Sequence, residues 1–311
     1  MSAEQESWPP ISQAEDGATI AAVHLFSQVA GKVATSLVPW RNHGWHVTFH
    51  MTPRGMRTEP IHAGRGSFEL AFDLRDHLFT LEDSDGARQR TDLRSTSVAD
   101  FYAQAMAMLS SAGRRVDIHQ RTNELDPAIA FASDRQVRRY DPDSARRVHT
   151  ALLSADRVFR LFRSAFLGKV SPVHFFWGSF DLAVTRFSGR PAPRHPGGIP
   201  HLPDAITREA YSHEVSSAGF WPGGAGGGEP FFYSYAYPAP TGFSDAAIQP
   251  DQAHYDDGFG EFILPYGAVR AAPDPHALLL DFLESSYAAA AELGQWDRRE
   301  RGRPGVPRAV L

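Results

Sequence analysis

A spaced pattern that occurs twice limits the folds open to this chain. Gly-Lys-Val, six residues, Trp, six residues and Val-Thr span residues 31–48 and return over residues 168–185 at a constant offset. Each copy follows an amphipathic segment that contains Leu-Phe. An internal repeat indicates that one structural unit is used more than once. The sequence therefore predicts two related halves.

Four segments have apolar residues every three or four positions, which is typical of amphipathic helices. The predicted helices cover residues 18–33, 97–112, 141–166 and 274–294. Ser97, Asp141 and Asp274 stand at the expected N-cap positions, and proline follows the two aspartates. The first helix is expected to end at Gly31, because glycine commonly follows the last helical turn.

The segments between these helices alternate apolar and polar residues, which indicates strands. Predicted strands cover residues 46–51, 68–74, 173–187, 212–220, 231–237 and 261–266. Because strands succeed one another without intervening helices, we expect an antiparallel α+β fold and not a doubly wound one. Its two related helix–antiparallel strands–helix halves would pack as a pseudo-symmetric unit.

A non-periodic stretch divides the predicted halves. The N-terminal α+β half is predicted at residues 18–120, the connector at 121–140 and the C-terminal α+β half at 141–296. One single compact domain over residues 8–296 is the alternative. In either arrangement, ligands often occupy the seam between packed units.

Charge and composition disfavour several classes of protein. The formal net charge is -5, so the basic stripe of a dedicated nucleic-acid binder is not expected. The chain has no cysteine, which removes thiolate nucleophiles and cysteine metal sites. The acidic start lacks a signal-peptide pattern, and no apolar run is long enough to span a bilayer. We expect a cytoplasmic protein without nucleic-acid or membrane partners.

The repeated Gly-Lys pairs do not form a phosphate-binding loop. That motif needs another glycine five residues earlier and a Ser or Thr after the lysine, and both copies lack them. Lys32 and Lys169 would then stand near helix ends, where the helix dipole favours cations. The alternative is that both lysines bind one anionic ligand.

Histidine, tryptophan and carboxylate side chains are concentrated near corresponding parts of the two copies. Imidazole is a common metal ligand and carries protons near neutral pH. The predicted catalytic residues are His174, Asp181, His213 and Glu214. The predicted ligand-binding residues are Lys32, Trp40, His43, His46, Lys169, Trp177 and Trp221. A cofactor is not identified by any motif, but a divalent metal held by histidine and carboxylate is one hypothesis, with His43, His46, His174 and His213 as candidate ligands.

Three further features have two interpretations each. Asp181 lies among apolar residues and would either pair with Arg186 or Lys169 or serve a function. The glycine-rich residues 222–228 form either a lid or a simple loop. The alternating tyrosines of residues 231–237 share one strand face and form either core packing or the aromatic wall of a ligand pocket.

Two motifs carry a resemblance to a known family. They are His-Phe-Phe-Trp-Gly-Ser-Phe-Asp at residues 174–181 and Tyr-Ser-His-Glu-Val-Ser-Ser-Ala-Gly-Phe-Trp-Pro-Gly at residues 211–223. Here the chain resembles a bacterial domain-of-unknown-function family, family 5996, from Trp8 to about Trp296. The resemblance implies a natural soluble bacterial protein of that family's fold, and it implies no activity.

Three functions remain open from these residues. The first is a small-molecule enzyme with a His and carboxylate site, with or without metal, between the two halves. The second is a non-catalytic small-molecule-binding or regulatory module in which the histidines are structural. The third uses exposed aromatic side chains as an oligomer interface, and the sequence leaves the oligomeric state open.

Overall fold

A computed structural model describes residues 7–64 and 66–297. Within them, helices accompany a large sheet in which every strand pair is antiparallel. The predicted α+β class is confirmed. No helix in the described ranges combines the length and apolarity needed to cross a membrane.

The N-terminal part contains two helices and the first eight strands. Their bounds are α1 (Gln13–Leu37), a 3₁₀ segment (Asn42–Val47), β1 (Thr48–Thr52), β2 (Gly55–Arg57), β3 (Ile61–His62), β4 (Ser67–Asp73), β5 (Leu78–Asp83), β6 (Arg88–Asp92), β7 (Thr96–Ser97), α2 (Val98–Ser111), a 3₁₀ turn (Phe131–Ser133) and β8 (Val137–Arg138).

The C-terminal part begins with a second long helix. Its elements are α3 (Pro142–Ser164), β9 (His174–Phe176), β10 (Asp181–Pro191), α4 (Asp204–Ala210), β11 (His213–Trp221), β12 (Phe231–Tyr237), a 3₁₀ turn (Phe243–Asp245), β13 (His254–Asp256), β14 (Glu261–Pro265), α5 (Tyr266–Ala271) and α6 (Pro275–Leu293).

One twelve-stranded sheet runs through both parts of the chain. Its order is β13-β14-β12-β11-β10-β9-β1-β2-β4-β5-β6, with β3 paired to β4, while β7 and β8 form a separate pair. The two parts meet where Thr48 pairs with Phe176 and Phe49 with Phe175. The sheet is therefore continuous across the predicted connector.

The long helices pack on one face of this sheet, which we call the helix-covered face. Phe26 of α1 stacks on Phe101 of α2 at 4.4 Å between ring centroids, and Phe101 lies 6.2 Å from Phe72 of β4. In the other part, Phe159 of α3 meets Phe232 of β12 at 6.4 Å. Each fully buried phenylalanine contributes roughly 2–3 kcal/mol of transfer free energy. The opposite face, the second face, is left to loops and the short α4.

The predicted helix starts have the hydrogen bonds that N-cap residues make. Ser97 Oγ accepts a hydrogen bond from Asp100 N at 3.0 Å, and Asp274 Oδ1 accepts one from Ala277 N at 2.9 Å. Asp141 Oδ1 accepts from Ser144 N at 2.9 Å. These carboxylate and hydroxyl oxygens satisfy first-turn N–H groups that have no partner inside the helix. The three predicted N-caps are confirmed.

The predicted end of the first helix is wrong, because Gly31 lies inside α1 and does not cap it. The Trp177 ring lies so close to Gly31 that an added Cβ would be 2.2 Å from it. The glycine is needed for close approach of a side chain, a role that local sequence does not distinguish from capping. The Lys32 ammonium is therefore not at a helix end.

The predicted long strand over residues 173–187 is two strands joined by a tight turn. Residues 177–180 reverse the chain, and Phe180 adopts φ 64°. Phe180 N donates a hydrogen bond to Phe176 O at 2.8 Å, which closes the turn. The apolar run continues through the turn because Trp177 and Phe180 are themselves buried. Hydrophobicity alone therefore gave no sign of the break.

The structure does not confirm the internal duplication, and the matched residues occupy different places. Gly31 lies within α1, whereas Gly168 follows the end of α3. Thr48 begins β1, whereas Thr185 lies in the middle of β10. Each part of the chain does run from a long helix through a meander to another helix. That order of elements, and not the repeated pattern, is what the two parts share.

Candidate functional site

Polar side chains converge on the second face around β10, β11, β12 and β14. The strand register places Ala183 opposite Gly219, Gly219 opposite Tyr233 and Tyr233 opposite Ile263. Because side chains alternate along a strand, residues two apart share this face. The group has three acids and three tyrosines, and we call it the acidic tyrosine cluster: Glu124, Asp181, Glu261, Tyr211, Tyr233 and Tyr235.

Asp181 is the buried centre of the cluster, with 6 % of its surface exposed. Its Oδ1 accepts a hydrogen bond from Ser179 Oγ, and its Oδ2 accepts one from the Tyr233 hydroxyl. Burial raises the pKa of Asp181, and these two hydrogen bonds oppose the rise. The predicted pairing with Arg186 or Lys169 is wrong, since Arg186 forms an ion pair with Glu284 and Lys169 bonds to His43.

Hydroxyl groups extend from Asp181 across neighbouring strands. The Tyr211 and Tyr235 hydroxyls are 2.8 Å apart, and the rings of Tyr233 and Tyr235 stack with centroids 6.0 Å apart. Thr185 Oγ1 and Ser217 Oγ are also 2.8 Å apart. Desolvation raises the pKa of Tyr235 to about 12 and also raises that of Tyr233 well above its usual value. These hydroxyls stay protonated near neutral pH and can donate hydrogen bonds.

Two glycines make room for groups of the cluster. An added Cβ on Gly178 would be 2.1 Å from Glu124 Oε1, and one on Gly219 would be 2.3 Å from the Tyr233 hydroxyl. Any other residue at either position would displace the neighbouring functional group. The Tyr233 ring thus lies flat over β11 because position 219 has no side chain.

Two carboxyls of the cluster have pKa values moved into the neutral range. Desolvation and then the charge of Asp181 raise the pKa of Glu124 to about 7. Desolvation, then Asp181 and Asp256, raise the pKa of Glu261 to about 8. Like charges that share a poorly solvated region disfavour ionisation. Near neutral pH these two carboxyls are therefore only partly ionised.

Two acids of the cluster lack side-chain partners within the described residues. In residues 7–64 and 66–297, no hydrogen bond or ion pair reaches the side chains of Glu124 and Glu261. Both side chains and the three tyrosines nevertheless keep part of their surface accessible. Acids that are strongly desolvated and still partly accessible are candidates for a functional site.

A buried histidine holds the segments that border the cluster. Ala225 N donates to His24 Nδ1 at 3.1 Å, so Nε2 carries the proton and donates to Gly178 O at 2.9 Å. Gln28 accepts from Asn123 N at 3.0 Å through Oε1 and donates to Gly178 O at 3.1 Å. Burial lowers the pKa of His24 to about 4. The turn, the connector and the glycine-rich loop are thereby fixed to α1.

Three of the predicted residues form a second group, at the other end of β10. Lys169 Nζ donates to His43 Nε2 at 2.5 Å, and the rings of His43 and His213 lie 5.6 Å apart. His43 Nδ1 donates to Ala210 O at 3.2 Å. Along an extended strand, Phe187 beside this group is roughly 20 Å from Asp181. The two groups are therefore separate on the sheet.

The other predicted catalytic and metal-binding side chains do not join either group. His174 is buried against Thr48, with Nδ1 3.2 Å from Thr48 Oγ1, and burial lowers its pKa to about 3. Glu214 Oε2 accepts from Arg190 at 2.6 Å. His46 packs on the exposed Trp40 at 4.5 Å between ring centroids.

The predicted tryptophans and Lys32 have separate partners as well. Trp177 is buried on Gly31, and Trp221 Nε1 donates to Ser179 O at 3.1 Å. Lys32 Nζ donates to Asn123 Oδ1 at 2.5 Å. Since Lys169 bonds to His43, the two lysines do not share partners, and nothing here supports one anionic ligand between them. Trp221 does border the cluster, because it holds the residue that bonds to Asp181.

Metal binding is not supported by the arrangement. In the part of the chain that the structure describes, no group of three or more His, Asp or Glu side chains is placed to hold a metal ion.

The sequence did not identify three members of the acidic tyrosine cluster as site residues, namely Glu124, Glu261 and Tyr211. Glu124 has a positive φ of 59° in a segment without periodicity, and Glu261 is the first residue of the otherwise apolar strand β14. An acid at the start of an apolar strand was the one signal in the sequence.

The fold and the cluster together define an α+β protein with an acid-rich polar cluster on one face of an antiparallel sheet. The chain belongs to a family of unknown function, DUF5996, whose model matches residues 8–303. The resemblance carried by the two sequence motifs is thus confirmed over nearly the whole chain. No curated protein and no solved structure matches it.

Proposed function

We propose that this protein binds a small organic cation, such as an amine, at the acidic tyrosine cluster. The observation that carries the proposal is that three acids lie together and that, within residues 7–64 and 66–297, none of them forms an ion pair with a positively charged side chain. An ammonium group would relieve the repulsion that raises the pKa values of Glu124 and Glu261. Charge complementarity therefore favours a cation over a neutral or anionic ligand.

The tyrosines supply the rest of such a site. The stacked rings of Tyr233 and Tyr235 present aromatic surface, which attracts cations through the ring quadrupole. The Tyr211 and Tyr235 hydroxyls offer donors and acceptors that would orient polar groups on the ligand. The alternating tyrosines thus support the hypothesis of an aromatic wall.

Acid–base catalysis on the bound molecule is a second candidate function. It is favoured by the pKa of Glu124, which at about 7 is near the optimum for a group that both accepts and donates protons. The carboxyl lies against Gly178, and no hydrogen bond within residues 7–64 and 66–297 holds it in one protonation state. Under this function Glu124 would transfer the proton, and Asp181, held by Tyr233, would stay fixed.

Calorimetric titration of the full-length protein tests the binding proposal. Butylammonium and tetramethylammonium are the probes, and butyrate is the control of opposite charge. We expect both cations to bind about tenfold more tightly at pH 8.5 than at pH 6, because binding requires ionised Glu124 and Glu261. Proton release on binding would appear as a dependence of the measured heat on buffer ionisation enthalpy.

Matched amide variants assign the binding to the cluster. Glu261→Gln and Asp181→Asn should each weaken cation binding at least about tenfold, which corresponds to roughly 1.4 kcal/mol. Asp257→Asn removes an exposed carboxyl in the β13–β14 turn and should leave binding unchanged. Binding of butyrate, no binding of either cation, or equal affinities in all variants would refute the proposal.

A further inference from the structure

The use of lysine in this chain is unusual. Of its 31 Lys and Arg residues, only Lys32 and Lys169 are lysines. An arginine stays protonated in proteins, whereas a lysine can lose its proton and become a nucleophile. Lys32 Nζ lies 5.8 Å from the Trp177 ring centroid, and Lys169 Nζ lies 5.7 Å from that of Trp45. Both lysines thus stand beside indole rings.

Lys169 is also hydrogen-bonded to a base of defined tautomer. A backbone carbonyl only accepts hydrogen bonds, so His43 Nδ1 must carry the proton that it donates to Ala210 O. The Nε2 atom of a neutral imidazole then has a free lone pair, and this atom is the one 2.5 Å from Lys169 Nζ. His43 is buried and held in place, with φ 61° and its ring on Phe187 at 4.7 Å.

No carboxylate in residues 7–64 and 66–297 forms an ion pair with Lys169, so its ammonium form has no counter-charge there. Partial desolvation lowers the pKa of the Lys169 amine. The residue is at the same time exposed, so small molecules can reach it. Lys32 differs, since it is buried and its Nζ donates to the side-chain oxygen of Asn123, which is not a base.

We propose that Lys169 is a nucleophilic amine that forms an imine with small carbonyl compounds, with His43 as its base. His43 Nε2 takes a proton from the Lys169 ammonium, and the nitrogen lone pair then forms a bond to the carbonyl carbon. The resulting carbinolamine loses its oxygen as water, with the proton from His43 and the second amine hydrogen going to that oxygen. The C=O bond is replaced by C=N, and no oxidant or reductant is needed.

Reductive trapping measures this reactivity directly. The full-length protein is treated at pH 7 with butanal and cyanoborohydride, and the butyl adducts are located by peptide mass spectrometry over time. With two lysines and one α-amine, each amine is resolved separately. We expect Lys169 to react at least about tenfold faster than both Lys32 and free Nα-acetyl-lysine, because general-base assistance accelerates proton transfer.

Two variants test whether the reactivity of Lys169 comes from His43 or only from the exposure of its amine. His43→Asn tolerates the positive φ at this position and should lower the Lys169 rate about tenfold, because an amide does not accept the proton. His254→Asn changes an exposed histidine on β13 and should leave the rate unchanged. A Lys169 rate equal to that of Nα-acetyl-lysine, or a rate unaffected by His43→Asn in folded protein, would overturn the proposal. Neither result depends on cation binding at the acidic tyrosine cluster.

Discussion

At the scale of single residues, Gly219 decides where the Tyr233 hydroxyl lies. Gly219→Ala would place a methyl group 2.3 Å from that hydroxyl, so the ring must move away from Asp181. We expect a loss of roughly 1–3 kcal/mol in the free energy of unfolding, because overpacking forces neighbouring groups apart. Urea unfolding of the variant and the parent measures the difference.

The matched control is Gly226→Ala in the glycine-rich loop. No atom lies within 4 Å of a Cβ added at Gly226, so this variant should change stability by less than about 0.5 kcal/mol. Gly219→Ala should also weaken butylammonium binding, whereas Gly226→Ala should not. Equal stability of both glycine variants would contradict the close approach of Tyr233 to β11.

The carboxyl of Glu124 should make stability depend on pH. Its folded-state pKa is raised from 4.5 to about 7, so the folded protein binds its proton more tightly than the unfolded chain. The corresponding stabilisation is complete below about pH 4.5 and is lost as the pH rises through 7. Relative to the parent, Glu124→Gln should therefore gain roughly 1–3 kcal/mol between pH 4.5 and pH 8.

Urea unfolding at several pH values tests this slope. Asp257→Asn, which removes an exposed carboxyl, should keep the pH dependence of the parent protein. If the Glu124→Gln curve ran parallel to the parent curve over this interval, Glu124 would not be a desolvated acid. The pKa assignment for the cluster would then be wrong.

At the scale of elements, capping residues and periodicity were sufficient to predict the main helices and the β12 strand. Asp141 and Asp274 cap helices because their short side chains reach first-turn N–H groups, which is local chemistry. The break at residues 177–180 was not predictable in this way. There, buried aromatic side chains occupy a turn, and tertiary packing outweighs the local turn signals.

The candidate site was predictable only in part for a related reason. Asp181 and the alternating tyrosines of β12 could be recognised from the sequence. An acid within an apolar strand and tyrosines at every second position are both patterns of neighbouring residues. Glu124 lies in the connector, and it reaches the cluster because Gln28 holds the backbone of the preceding Asn123. That hydrogen bond joins distant parts of the chain, so local sequence does not predict it.

The clustering of histidines suggested one shared site, but His43 and His213 lie together while His174 is held apart from them by Thr48. Which side chains meet in the folded protein depends on strand register and on the connectors. Residue type alone does not specify it.

At the scale of the whole molecule, the single sheet joins both parts of the chain through β1 and β9. Phe49 and Phe175 are paired across this junction and are almost completely buried. We propose that the two parts unfold as one cooperative unit, because loss of this junction exposes the core of both. Phe175→Ala should reduce the free energy of unfolding by about 3–5 kcal/mol, as expected for a large cavity in a packed core.

Hydrogen exchange read by mass spectrometry, at increasing urea concentration, distinguishes a shared transition from two independent ones. In Phe175→Ala, peptides from β4 and β5 should lose protection at the same urea concentration as peptides from β11 and β12. This concentration should be lower than in the parent protein. Leu167→Ala, which shortens a side chain that is 72 % exposed, should leave both midpoints within about 0.5 kcal/mol of the parent. Loss of protection in only one part would show that the predicted halves are separate domains, because a packing defect in a continuous sheet must weaken the strands on both sides of it.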